Sequence, residues 1–591
     1  MRNPIRFYYD PAFIAECIDK LVKQPFWSEG QDGYIQKLED DNRVIYLSHT
    51  LPAFGFYNFP VGNKLVPVQV RGNIAREANH KDLRDFVTYL LNRLPGGNKV
   101  LDRMTMQYNQ FFDEKVLTSL RILDSSTLKD NRSTAYRYYR NGVVKVSSKS
   151  DSVSLIPYDK VEGLVWADQI IDREYKEVES LLFDEDSFLE DKTDTAGNHF
   201  HKWCQNLCKS QDHSGSWIYN KDRFKALSSG FGYLLHKFWS EYKCVIFIDE
   251  DMKEGRAEGR TGKSVVLHDA LSHALNTEVI DAKSVTKKGY GNQFMFNFLT
   301  PSTQYVCFDD ACEDFDFSSL FSVITGPLLV NRKYGSMFQF PKNEKPKMSI
   351  SSNHPILGDG SSFEDRQHNV SIGGFYRFHK MELNKDPHKF HGGYLFDEDW
   401  GDENWYEFDA FCVSSLLYYL HNGLVNKGEG SNYRLKKLNA SVGSSTLVNT
   451  IHRFLEDNTG METYSHYVEE MGDESMKCRC LRDFVTENSG GETYTLPQLT
   501  TALHSVANHF DFKINVGLND RPQKRFGPNR KGVNRYVITT SKNPFGSSVV
   551  SDEEPASTDP VPDNNSSTAT LTAEEEHEET LKYFEQLNTE F

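Results

Sequence analysis

At 591 residues and 38% hydrophobic content the chain has room for three or four domains with substantial cores, and no run approaches the roughly 20 apolar residues that span a bilayer. The formal charge of −17 argues against a uniformly basic nucleic-acid binder, yet Ser551 to Phe591 holds twelve acids and one Lys, so most of the acidity is a local appendage. Nine scattered cysteines and the lack of an apolar leader suit a soluble protein of a reducing cytoplasm.

Residues 1–190 read as a mixed α+β region of unassigned role. Leu83 to Leu94 carries apolar residues at helical spacing and closes on Pro95-Gly96-Gly97. No alternating acids with a His mark a primase metal site there. Thr134–Tyr139 and Val143–Val146 flank Asn141-Gly142, a hairpin pattern. Its tyrosines fit a packed strand face better than a DNA-nicking nucleophile, which needs a His-x-His pair on a neighbouring strand.

Residues 191–242 read as a helical segment. His199, His201, Cys204, Cys208 and His213 have the chemistry of zinc ligands but lack the compact pairs of a zinc knuckle, and Trp203 and Leu207 favour a packed helix. Phe224, Leu227, Phe231, Leu234, Leu235 and Phe238 recur at helical spacing, which fits either a collar joining subunits or core packing within one chain.

Residues 243–385 carry the chemistry. The apolar run Cys244–Ile248 precedes Gly259-Arg260-Thr261-Gly262-Lys263-Ser264 and then a helical pattern from Val265 to Leu275. A strand feeding a Gly-rich turn that opens a helix gathers backbone N–H groups around an anion. Lys263 would meet the β- and γ-phosphates of ATP, and the Ser264 hydroxyl would face Mg²⁺. The usual phosphate-loop pattern begins with Gly; Ala257 stands there instead. A second apolar strand ends in Asp309-Asp310, suited to hold the cation and to activate water, and a third ends in Ser351-Ser352-Asn353. Three strands delivering polar groups at their carboxyl ends describe a site on a parallel α/β sheet.

Gly262-Lys263-Ser264, Asp309-Asp310 and Ser352-Asn353, in this order and spacing, resemble the ATPase core of superfamily-3 helicases, the replicative helicases of small DNA viruses, phages, plasmids and poxvirus-type primase-helicases. The resemblance covers roughly residues 220–380. It implies an AAA+-like P-loop fold, an ATP-driven homo-hexameric ring on single-stranded and fork DNA, and cytoplasmic replication of a phage or mobile element. Site roles follow. Lys263 and the loop amides bind phosphate, Ser264 and Asp309 hold Mg²⁺, Asp310 orients water and Asn353 senses the γ-phosphate. Arg366, with Arg377 second, is the candidate cation lent by the adjacent subunit. Arg332, Lys333 and Tyr334 would form the DNA-touching tip of a β-hairpin. An ATP-switched initiator with little unwinding, and a double-stranded DNA packaging or partition motor, remain open.

Residues 386–445 read as a helical connection, with an acidic, Trp-rich patch from Asp397 to Trp405 and a helix around Ala410–Leu420. Residues 446–540 run helix, strand, basic loop, strand, the outline of a winged helix. Its loop holds Lys524, Arg525, Arg530 and Lys531 without an acid and is the second predicted DNA contact. Residues 541–591 form an acidic segment too polar to bury a core. Leu581, Phe584 and Leu587 recur there at helical spacing, and the segment either docks a replication partner, competes with DNA for basic surfaces, or only keeps the chain in solution.

Overall fold

The computed structural model describes residues 11–29, 35–37, 50–106, 111–176, 183–250, 259–285, 294–312, 314–332, 337–356, 361–426, 431–489, 493–515 and 533–540. At its centre lies a five-stranded parallel sheet of β1 (Cys244–Asp249), β2 (Thr277–Asp281), β3 (Tyr305–Ala311), β4 (Lys347–Ser352) and β5 (Gln367–Ile372), in spatial order β2-β3-β4-β1-β5. All six residues of β1 are buried, which is why it reads as a continuous apolar run rather than an alternating one. Successive side chains still divide between two cores. Val245, Phe247, Tyr305, Cys307 and Val370 face one, and Ile246, Ile248, Val306, Phe308 and Ile350 the other. The connections leaving β1 and β4 run to opposite sides of the sheet. In such open sheets the crevice outside the carboxyl ends at that switch point is where ligands bind.

The first core reaches well beyond the sheet. It takes in the hairpin residues Ala135, Val144 and Val146, Trp203 and Leu207 of helix His199–Leu207, helix Lys221–Leu235 and helix Asp402–Asn422. Helix Lys221–Leu235 is buried on nearly every side within a single chain, so its apolar stripe packs inward and offers no free collar surface. Among the aromatic residues of the hairpin, Tyr138 and Tyr139 are buried, and the Tyr139 hydroxyl donates to Asp409 at 2.9 Å. The two-residue turn of that hairpin is Arg140-Asn141, one position ahead of the predicted Asn141-Gly142. Gly142 instead opens the second strand, where a Cβ would come within 2.7 Å of the Ile156 carbonyl oxygen.

The N-terminal region has its own core under the helices Pro11–Lys23, His80–Leu91 and Gly97–Met106. The helix from His80 is started by Asn79 and Asp82, which cap each other's backbone N–H groups. Residues 445–540 build a separate core from helices Ser445–Asp457, Leu481–Asn488 and Leu496–His509 against a three-stranded antiparallel sheet. No helix among the described residues is long and apolar enough to cross a membrane.

Candidate active site

β1 ends in a carboxylate, Asp249, that is only 2% exposed. In the loop that follows, Gly259, Arg260 and Gly262 all hold positive φ, at 45°, 57° and 94°. Left-handed residues in a short loop turn successive N–H groups inward, the geometry of an anion nest. At Gly262 glycine is obligatory, because a Cβ would lie 2.9 Å from Cζ2 of Trp203, whose Nε1–H donates to the Gly262 carbonyl at 3.3 Å. The loop leads into a helix over Val265–Ala274 that is π-wound as far as Ala270, and exposed Ser264 stands immediately before it.

Lys263 is buried beneath this loop. Its ammonium donates to Asp249 Oδ1 at 2.5 Å, to Asn353 Oδ1 at 2.9 Å and to Thr261 Oγ1 at 3.2 Å, while the Thr261 hydroxyl donates to Asp249 at 2.6 Å. Burial pulls the Lys263 pKa down; Asp249 opposes this, and the Arg377 guanidinium adds to the lowering. An amine so placed is a charge held ready, with its counter-charge lent by the protein.

The second strand arrives through an irregularity. The β3–β4 ladder shifts register between Phe308 and Ala311, and Asp310 sits there with φ 56°. Bulges re-aim side chains beside sites, and positive φ in a non-Gly residue is strain held in place by its surroundings. Here Ser351 does the holding. Its Oγ accepts from the Asp310 N–H at 3.0 Å and donates to Asp309 Oδ1 at 2.5 Å. Asn353 Nδ2 donates to Asp310 Oδ1 at 3.2 Å, so one side chain bridges the lysine and the acid pair. Lys283 pairs with Asp310 from outside. Three strand ends thus meet in one hydrogen-bonded chain from Asp249 through Lys263, Asn353 and Asp310 to Ser351 and Asp309.

The donor set fits the groups that the sequence implies. A serine hydroxyl and a carboxylate are hard oxygen ligands of the kind Mg²⁺ takes, and the positive φ of Gly259, Arg260 and Gly262 is the backbone form that turns N–H groups toward phosphate oxygens.

Other predicted residues lie elsewhere. The Arg366 carbonyl accepts from Cys244 N–H, which puts Arg366 at the amino end of β1 and β5, about 20 Å of strand from Asp249. Its guanidinium donates to the carbonyl and hydroxyl of Ser362 and lies over the Phe321 ring, so it takes no part in the site of its own chain. Arg377, in helix Phe375–Met381 just past the carboxyl end of β5, is near enough to act on Lys263. Arg332 grips Glu77 with two bonds, at 2.6 and 3.1 Å, and the Leu299 carbonyl at 2.9 Å, so the root of its hairpin (arms Leu328–Val330 and Phe338–Phe340) is tied to the N-terminal region. Lys333, Tyr334, Lys524, Arg525, Arg530 and Lys531 lie outside the described residues, as does the acidic segment 541–591.

His201, Cys204 and Cys208 are buried; burial raises both thiols and lowers His201 to about 3. No cluster of three His, Cys, Asp or Glu side chains able to hold a metal ion occurs among the described residues.

Asp249 and Ser351 are site residues that the sequence reading does not assign, and Thr261, read as part of the phosphate loop, also binds Asp249 through its hydroxyl. A signal existed for Asp249 alone, as the acid that ends an otherwise apolar strand. Ser351 acts through Asp309 and the backbone of Asp310, which spacing does not reveal.

No family model matches the sequence, and no curated relative does. Among solved structures the chain is similar to the A form of the apo C-terminal region of NrS-1, at 12% identity over 84% of this chain and 99% of that one, with a TM-score of 0.37. A second structure of the same region is similar at 12% identity over the same shares, with a TM-score of 0.36. The functional reading therefore rests on the site.

Proposed function

We propose that this chain is an ATP-driven replicative helicase of a phage or mobile element, an AAA+-like ring translocase on single-stranded DNA. The observation that supports it most is the meeting of Lys263 with Asn353 at 2.9 Å and of Asn353 with Asp310 at 3.2 Å, which brings the ends of β3 and β4 and the glycine loop after β1 to one point. A triphosphate entering the loop would take over the Lys263 ammonium from Asp249, exchanging one counter-charge for another. Asp310, aimed by the bulge and by Asn353, orients the attacking water, and Asn353 reports whether a γ-phosphate is present. Ser264 and Asp309 would hold Mg²⁺, which neutralises charge on the β- and γ-oxygens when bound.

Charge developing in the transition state calls for a further cation, a contribution on the order of 10³-fold or more in rate. Arg377 is placed to act within its own subunit. Arg366 lies at the amino end of β5, the far end of the strands from the loop, and would serve only across a subunit boundary. In a homo-hexamer, cycling of that boundary would move the Lys333-Tyr334 tip along the channel, with the basic loop of residues 521–535 as a second DNA contact.

The Arg332–Glu77 clamp favours one alternative, an initiator in which ATP sets assembly while the hairpin stays anchored. Strand displacement separates the two. Lys263→Ala abolishes hydrolysis and unwinding, and Lys333→Ala keeps basal hydrolysis and loses unwinding. A wild-type protein that hydrolyses ATP on DNA without displacing a strand is the initiator, and one without ATP hydrolysis refutes both.

A further inference from the structure

A second hollow lies at the amino ends of β3 and β4, about 20 Å of strand from the nucleotide motifs at their carboxyl ends. A cavity of about 590 Å³ opens there between strand Phe56–Val61 of the N-terminal region, the extended segment 125–130 and the residues that lead into β3 and β4. Its volume is that of a small-molecule site. Phe59 and Trp166, which meet edge to face at 5.8 Å, and Phe340 of the hairpin arm Phe338–Phe340 give it an apolar wall.

Three lysines line the cavity, and two have an evident structural role. Exposed Lys129 pairs with Glu344 at 2.5 Å. Lys345, 3% exposed, donates to the Ile324 and Gly326 carbonyls at 2.7 and 2.6 Å and so caps the end of helix Phe321–Thr325. Lys237 is different. Its partly buried ammonium donates to the Tyr138 hydroxyl at 3.0 Å and to Gln169 Oε1 at 2.8 Å, both neutral, and no carboxylate among the described residues pairs with it. An ammonium has three donors, so one is unspent. The nearby acid, Asp130, has both oxygens committed to backbone, accepting from the N–H groups of Tyr136 at 3.0 Å and of Lys237 at 2.9 Å. Burial pulls the Lys237 amine down to about 7, and Asp130 opposes that fall only in part. Buried charges are ordinarily paired, and a cation left facing open space marks a missing counter-charge.

We infer that this cavity binds a small organic anion, with its phosphate or carboxylate on the Lys237 ammonium and its apolar body against Trp166 and Phe340. A compact ammonium holds either oxyanion as a point charge. The position gives occupancy a consequence. Gly62, at φ 58°, lies so close to the Gln339 carbonyl that a Cβ would run into it, so the turn after Phe56–Val61 already presses on the hairpin arm. A ligand spanning Trp166 and Phe340 ties the N-terminal region to the root of that hairpin a second time, in addition to the Arg332–Glu77 clamp. No residue of the phosphate loop takes part, so anion binding here and nucleotide binding there are lost separately.

Fluorescence titration of the full chain with 8-anilinonaphthalene-1-sulfonate, an aromatic anion, tests it, with ATP and Mg²⁺ present to keep the dye from the phosphate loop. The expected result is one saturable class of sites whose affinity falls roughly 10–100-fold in Lys237→Met, the loss of one charge-assisted hydrogen bond, and is kept in Lys237→Arg. Displacement from the wild type identifies the natural headgroup whether or not the variants fold. Inorganic phosphate displacing the dye at lower concentration than acetate supports a phosphorylated ligand, and the reverse order supports a carboxylate. No saturable binding by the wild type overturns the proposal, as does dye affinity in folded Lys237→Met within twofold of wild type. Displacement by phosphate and acetate no better than by chloride at equal ionic strength overturns it as well.

Discussion

Replacing Asp249 by Asn tests the idea that the protein supplies a stand-in for the substrate's charge. Asp249 and Lys263 are 2% and 6% exposed and 2.5 Å apart, so the pair is shielded from solvent screening. Removing one partner of a buried pair costs about 3–5 kcal/mol. Lys263 keeps Asn353 and Thr261 as acceptors, which places the expected loss near the lower end, ~3 kcal/mol or about 5 °C in the melting temperature of the roughly 290-residue unit that carries the site. Differential scanning calorimetry with and without ATP and Mg²⁺ is the assay. Without nucleotide the variant melts lower by that amount; with nucleotide the phosphates restore the missing charge and the gap closes, so the variant's ATP-induced shift exceeds that of wild type. The pH dependence has a definite sign. Lys263 is pulled below its unfolded pKa, so between the two values the unfolded chain binds the extra proton and stability rises with pH. Loss of Asp249, which opposes the lowering, extends that window downward, so the variant's deficit shrinks as pH rises. A melting temperature within 2 °C of wild type, or a gap that nucleotide leaves unchanged, refutes the reasoning.

Other expectations concern neighbouring residues. Ser351→Ala releases both Asp309 and the backbone of Asp310, and steady-state hydrolysis should fall about tenfold at unchanged ATP affinity, the signature of a lost positioning contact; a wild-type kcat argues against that role. Glu77→Gln breaks a half-buried bidentate pair worth about 1 kcal/mol, and hydrogen exchange in the hairpin arms should quicken while basal ATPase stays constant; unchanged exchange would show that the clamp is idle. Gly262→Ala drives a methyl into Trp203 at a φ of 94°, which should abolish nucleotide binding and destabilise the chain by about 1–3 kcal/mol in denaturant melts; retained binding would refute the packing argument. His201 is lowered by burial to about 3, so as pH falls from 6.5 toward 3 the unfolded chain protonates first and stability drops; His201→Phe should flatten that acid limb, and an unaltered limb would count against it.

The segments that carry the chemistry were legible because buried parallel strands are apolar from end to end. Cys244–Ile248, Tyr305–Asp310 and the strand from Lys347 were read within a residue or two of β1, β3 and β4. β2 and β5 were not seen. Thr277–Asp281 lies at the sheet edge and alternates weakly, and Gln367–Ile372 is polar where it is buried. His368 sits there by bonding the Ala226 carbonyl at 3.0 Å and Asn426 at 3.1 Å, partners far away in the chain. Helix Lys221–Leu235 shows the same limit from the other side. Its stripe predicts a helix, but only the surrounding elements decide that Ser228, Ser229 and Gly230 on the polar side are buried as well. In the site, Lys263, Asp309, Asp310 and Asn353 followed from type and order, whereas Asp249 as a partner for Lys263, and Ser351 as a strut, needed three dimensions. Arg366 is the candidate cation for a neighbouring subunit, and β5 sets it at the amino end of the sheet, away from the site of its own chain.

The core that runs from the Tyr139 hairpin to helix Asp402–Asn422 constrains how this chain may be divided. A fragment cut near residue 243 would keep every nucleotide motif and still lose helices His199–Leu207 and Lys221–Leu235, opening part of the core that Val245, Phe247 and Val370 share with them. Engineering a minimal motor from this protein therefore means retaining residues from about 134 to 426.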